Sequence, residues 1–157
     1  IVSSVFPDRS LHGGGFVARL SGSTAEFLSM WLLMNAGKRP FFLDRDGKLS
    51  LRFQPSLPEW LFLKEETTRL FHDLDGAPAK VRVPKDALAF LFLGKTLVFY
   101  HNSKRLDTFG KWRVSPKKIV LKDARGQTVE LKGDTIPGPH AERVRDGKIV
   151  RIDIELG

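Results

Sequence analysis

Beyond Pro40 the chain is broken at short intervals by turn signals: Asp44-Arg45-Asp46-Gly47, Asp73-Leu74-Asp75-Gly76, Gly94-Lys95 and Asp123-Ala124-Arg125-Gly126. Gly supplies the positive φ that tight turns need, and Asp hydrogen-bonds its own backbone in Asx turns. The pieces between the turns alternate with period two. Residues 48–54 set Leu49, Leu51 and Phe53 against Lys48, Ser50 and Arg52. Residues 148–156 set Val150, Ile152, Ile154 and Leu156 against Ile149, Arg151, Asp153 and Glu155. Residues 87–93 are continuously apolar, as suits a strand buried on both faces. Further strands are expected at 41–43, 60–62, 68–71, 79–83, 96–100, 119–122 and 128–132, with a Pro/Gly loop at 134–139 and one helical turn at 141–145. Roughly nine or ten short strands, with turns at intervals of about 8–12 residues, predict a mainly β fold: an antiparallel β-sandwich of jelly-roll type.

One segment departs from this pattern. The glycine run Gly13-Gly14-Gly15 leads through Phe16-Val17-Ala18-Arg19-Leu20 into the polar turn Ser21-Gly22-Ser23-Thr24. Ser23 and Glu26 have the S-x-x-E spacing of a capping box, which predicts a helix over residues 24–36. Gly37 suits the position after the helix, and Lys38-Arg39 lie beside its negative dipole end. Ala25, Phe27, Leu28, Met30, Trp31, Leu32, Leu33 and Met34 cover nearly every face. A helix apolar all round is expected to be buried on more than one side. In so short a chain that predicts packing against a further domain, or self-association into a homo-oligomer. The expected domain organisation is 1–37 as the end of a helical domain and 38–157 as the β-sandwich.

The 157 residues suit a modest core, and 41% hydrophobic with 28% charged residues is ordinary for a soluble globular protein. The absence of Cys excludes disulfides and thiolate metal sites and fits a reducing cytoplasm. No apolar run reaches the roughly 18 residues of a membrane span. The start on Ile1 rather than Met suggests a fragment or a processed chain. A net charge of +8 admits a nucleic-acid partner. However, the 26 Lys and Arg are scattered among 18 acidic residues without a like-charge block, which favours a solvated basic surface or an anionic small substrate.

Few residues have the spacing of a reactive site. His12, His72, His101 and His140 contain no pair at metal-ligand spacing, so neither a metal nor another cofactor is expected. No G-x-S-x-G elbow and no acid/base carboxylate pair stands out, so no catalytic residue is assigned in this chain. The turn before the helix is different. The first-turn N–H groups have no intrahelical partner and face the positive end of the dipole, which makes an anion site. The Ser21 and Ser23 hydroxyls and the Gly22 and Ser23 amides would hold the anion, Arg19 would neutralise it, and His12 would bind or orient it. Trp60, more than Trp31 or Trp112, is a candidate for stacking on a sugar ring.

Three motifs occur in order: Leu20-Ser21-Gly22-Ser23-Thr24, Asp46-Gly47-Lys48-Leu49 and Pro55-Ser56-Leu57-Pro58-Glu59-Trp60. Their order and approximate spacing resemble the C-terminal part of the cellobiose-phosphorylase-like glycoside phosphorylases. In that family a Tyr-Thr-Gly-Ser-Ala turn opens the last helix of an (α/α)6 barrel, and a D-G-L strand, a P-C-I-P-x-x-W segment and a C-terminal β-sandwich follow. The resemblance covers about residues 12–100 and, more loosely, the remainder. It implies inverting cleavage of a β-glucosidic bond by inorganic phosphate, with a β-glucan oligosaccharide as the sugar partner. The family's phosphate-contacting Thr-Gly pair falls on Ser21 and Gly22, where Ser keeps the hydroxyl, and Leu20 stands in place of Tyr. The family's general-acid Asp lies in the barrel, so the resemblance implies a C-terminal piece, inactive alone, with the rest of the parent enzyme packed on helix 24–36. The alternatives are a non-catalytic carbohydrate-binding β-sandwich module and, third, a basic nucleic-acid-binding domain.

Overall fold

The computed structural model describes residues 4–14, 21–72 and 75–157, and of Ser21 and Ser23 the backbone alone. The chain divides into two units, Ile1–Leu32 and Leu33–Gly157. In the first unit a 3₁₀ turn, Arg9–Leu11, is capped by Asp8, whose carboxylate accepts from the Ser10 N–H at 2.9 Å and the Ser10 hydroxyl at 2.7 Å. Helix α1, Ser21–Asn35, runs from this unit into the second. It starts three residues before the expected position, so Ser23 is helical and does not occupy the cap of a capping box. At its other end Gly37, with φ of 94°, donates its N–H to Leu33 O at 3.2 Å, which is the expected left-handed stop. A Cβ at Gly37 would meet Gln54 Cβ at 2.9 Å, so no side chain fits there.

The expected burial of α1 is found only at its C-terminal end. Asn35 and the following Ala36 are buried, whereas Phe27, Leu28, Met30, Leu32, Leu33 and Met34 are exposed. An apolar surface all round calls for cover on several sides, and among the described residues those side chains do not receive it.

The second unit is mainly β, and ten strands are described in it. Strands β1 (Phe41–Leu43), β2 (Leu49–Arg52) and β9 (Thr135–Ile136) form an antiparallel sheet in the order β1-β2-β9. Strands β5 (Ala87–Phe92), β6 (Thr96–His101), β7 (Pro116–Asp123), β8 (Thr128–Lys132) and β10 (Ile149–Leu156) form a second sheet in the order β5-β6-β10-β7-β8. Every pairing is antiparallel except β6 with β10, which run parallel. Strands β3 (Thr67–His72) and β4 (Pro78–Val83) make a separate hairpin. The Asp44–Lys48 turn joins β1 to β2, and the Asp44 carboxylate accepts from the Asp46 and Lys48 N–H groups at 2.9 and 2.8 Å.

The two larger sheets pack face to face through aromatic rings. Phe41 and Phe53 reach Phe92 with centroids 6.0 and 5.2 Å apart, and Phe53 reaches Tyr100 at 6.4 Å. Leu51, Val98, Ile119, Leu121, Ile136, Ile152 and Ile154 are buried with them. Helix α2, His140–Arg145, adds the buried Ala141 and Val144. The other face of β5 and β6 forms a second core, in which Val83, Ala87 and Phe99 pack with Phe71, Val81, Ala89 and Leu97. That is why residues 87–92 are apolar on both sides.

Two expectations are corrected. Residues 60–62 do not form a strand: Glu59–Leu61 is a 3₁₀ turn opened by Pro58. The Pro/Gly segment after Asp134 contains β9, whose Ile136 pairs with Leu51. Two residues cannot show an alternation, so no periodic signal marked β9.

Candidate functional site

The first turn of α1 holds the candidate anion site. The Gly22 and Ser23 amides lie in that turn, where backbone N–H groups lack an intrahelical partner. A Cβ built on Gly22 meets nothing within 4 Å, so the backbone stands open to approach. The Ser21 and Ser23 side chains and the whole of Arg19 lie outside the described residues. His12 donates from Nε2 to Phe6 O at 2.7 Å, which leaves Nδ1 for any second partner.

Trp60 sits on the 3₁₀ turn with 68% of its surface exposed. The backbone leading into the turn is held by the neighbouring loop. Leu57 N–H donates to Thr108 Oγ1 at 2.7 Å, Thr108 Oγ1 donates to Pro55 O at 2.9 Å, and Glu59 N–H donates to Asp107 Oδ1 at 2.8 Å. Arg105 bridges the Glu59 and Asp86 carboxylates at 3.1 and 2.7 Å and donates to Leu63 O at 3.3 Å. The hydrogen bond to Asp86 is the main reason that its guanidinium is held above its ordinary pKa. The Pro55–Trp60 motif is thus a rigid shelf that presents an indole.

A cluster not singled out from the sequence lies across β6 and β10. His101 Nε2 donates to Asp153 Oδ1 at 2.8 Å, and Arg151 engages both oxygens of Asp153, at 2.6 and 2.7 Å. The guanidinium also lies 4.0 Å from the centre of the Phe99 ring, a close cation–π contact. Burial works to raise the Asp153 pKa, but the hydrogen bonds from His101 and Arg151 outweigh it and lower it to about 2. The His101–Asp153 bond ties β6 to its parallel neighbour β10, and Arg151 holds Asp153 from along the same strand. The alternation of Arg151, Asp153 and Glu155 was visible in the sequence, whereas His101 is 52 residues from Asp153 and meets it only through strand pairing.

Among the described residues no group of three His, Asp or Glu side chains could hold a metal ion. No helix among them is long and apolar enough to cross a membrane. Neither the models of known protein families nor the curated proteins include a match to this chain.

Proposed function

We propose that this chain is the C-terminal piece of a cytoplasmic glycoside phosphorylase resembling the cellobiose-phosphorylase type, and that its α1 turn contributes to binding phosphate. The observation that carries this reading is the ordered set of motifs at Leu20–Thr24, Asp46–Leu49 and Pro55–Trp60. The open backbone at Gly22 supports an anion at the helix start. The exposed Phe27, Leu28, Met30 and Leu32 suit a helix that packs on further parts of a parent enzyme. In this role Ser21 and Gly22 bind one face of inorganic phosphate, and the general acid comes from elsewhere in the parent enzyme. A phosphate oxygen then attacks the anomeric carbon of a β-glucoside from the opposite face, the glycosidic C–O bond breaks, and the departing sugar oxygen takes the proton of that general acid, leaving an α-sugar 1-phosphate.

The test is made on the full-length parent enzyme, with a β-linked disaccharide and inorganic phosphate. Formation of the α-sugar 1-phosphate is expected. Ser21→Ala is expected to weaken phosphate binding, followed by calorimetry, by about tenfold, as for loss of one hydrogen bond to a charged group. Sugar release that ignores phosphate, or unchanged phosphate affinity in Ser21→Ala, overturns the proposal.

A second reading, a non-catalytic carbohydrate-binding module, is favoured by the exposure of Trp60 on its rigid shelf. It requires a tryptophan fluorescence shift with glucans that disappears in Trp60→Ala and is indifferent to phosphate.

A further inference from the structure

A cleft of about 350 Å³ opens on the β unit; it shares Pro55 and Thr108 with the base of the Trp60 shelf but does not include Trp60 itself. It lies at the small end of ligand clefts, which run from about 300 to 1,000 Å³. Phe53 lies at its base, fully buried, and Phe109, 46% exposed, forms one wall. Gln54, Arg113, Ser115 and Asp134 supply the polar lining. The loop carrying Phe109 is held in shape: Val114 N–H donates to Asp107 O at 2.9 Å, and Thr108 N–H donates to Leu57 O at 3.0 Å. Asp134 is oriented by Thr135 Oγ1, which donates to it at 2.8 Å, and by Arg52 at 3.4 Å. By contrast, no hydrogen bond or ion pair among the described residues engages the side chains of Arg113 or Gln54.

The geometry points to a saccharide-binding site in this cleft, for one or two hexose units of a neutral oligosaccharide. A pyranose offers an apolar C–H face and a rim of hydroxyls that both donate and accept. Phe109 provides a ring for the face. Arg113 donates, Asp134 accepts and Gln54 does both, each through a planar group matched to vicinal hydroxyls. A phosphate or other bare anion could take donors from Arg113, Gln54 and Ser115 but would meet the Asp134 carboxylate, which a neutral sugar hydroxyl instead satisfies by donating to it. The choice of a β-glucan probe rests on the function proposed above, and the cleft itself does not involve Ser21 or Gly22.

The experiment titrates cellotetraose, and separately inorganic phosphate, into the isotopically labelled 157-residue chain and follows the amide resonances. Cellotetraose is expected to shift residues 53–55 and 108–116. Phe109→Ala and Arg113→Ala, both at exposed positions, are each expected to weaken binding about three- to tenfold. Absence of binding overturns the proposal. So do shifts centred on Trp60, an affinity unchanged in both variants, or a response to phosphate alone. If cellotetraose fails to bind while the parent enzyme still performs phosphorolysis, this site alone is lost. If phosphorolysis fails while cellotetraose binds here, only the function proposed above is lost.

Discussion

The hydroxyl of Tyr100, fully buried in β6, donates to the main-chain carbonyl of Asn35, the last residue of α1, at 2.5 Å. Carbonyls at a helix C-terminus lack intrahelical partners, and this one is buried away from water. The bond satisfies it and fixes where the helix ends against the aromatic core of Phe53 and Phe90. Tyr100→Phe removes this donor from the buried end of the helix. A loss of about 1–3 kcal/mol in urea unfolding is expected.

Tyr100 is also the only tyrosine of the chain, so absorbance of tyrosinate reports on it alone. Burial pushes its pKa well above the ordinary 10.0. A raised folded pKa means that the contribution to stability is complete below the unfolded value and is lost as pH rises beyond it. Alkaline titration is therefore expected to show no tyrosinate at the ordinary midpoint, and then a rise coincident with unfolding. A simple titration near 10.0 while the fold persists would contradict the burial.

The Asp153 cluster has the opposite sign. Its folded pKa of about 2 lies below the ordinary value of 3.8. The ionised form is stabilised on folding, so the contribution is present above 3.8 and fades as pH falls toward 2. At neutral pH it is on the order of 2 kcal/mol, since one pKa unit corresponds to about 1.4 kcal/mol. Asp153→Asn is expected to cost about that much at pH 7 and much less near pH 2, measured by urea unfolding at each pH. An equal cost at both would place the effect in packing.

Thr108 stitches the Pro55–Trp60 shelf to the neighbouring loop. Its hydroxyl accepts from Leu57 N–H and donates to Pro55 O. Thr108→Val keeps the shape and removes both bonds, leaving a buried N–H unpaired. A loss of about 1–3 kcal/mol is expected, with faster hydrogen exchange at Leu57. Unchanged exchange there would show the shelf to be held by other contacts.

The apolar surface of α1 gives a prediction about association. Phe27→Ser and Leu28→Ser replace exposed side chains, so the stability of a monomer is expected to change by no more than about 0.5 kcal/mol. Sedimentation across protein concentration checks this. If wild type self-associates and these variants do not, a second copy covers the helix.

Much of the β architecture was legible in the sequence. Turns of Asp and Gly located the ends of β1, β2, β7 and β8, because their backbone geometry is set within a few residues. The Asp44 and Asp123 carboxylates perform the Asx role expected of them, accepting from N–H groups two and four residues on. The candidate site was less legible. A capping box was expected at Ser23, but the helix continues back to Ser21, because S-x-x-E spacing marks a local option that neighbouring residues can override. Trp60 was expected in a short strand at 60–62, but Pro58 and the bond from Glu59 N–H to Asp107 make a turn instead.

What the sequence by itself determined is local: where the chain turns, which residues alternate, where an apolar helix stops at Gly37. Those features depend on φ, on side-chain period and on hydrogen bonds between near neighbours. The tertiary structure alone decided the partners. A period of two says which side chains share a face, but not which strand lies alongside, so nothing local placed β10 parallel to β6 and beside β7. That pairing brought His101 to Asp153 and Arg151, and the packing of distant loops brought Phe109, Arg113 and Asp134 to one cleft. Contacts across 50 or so residues are chosen by how well whole faces bury one another, which is a property of the assembled fold.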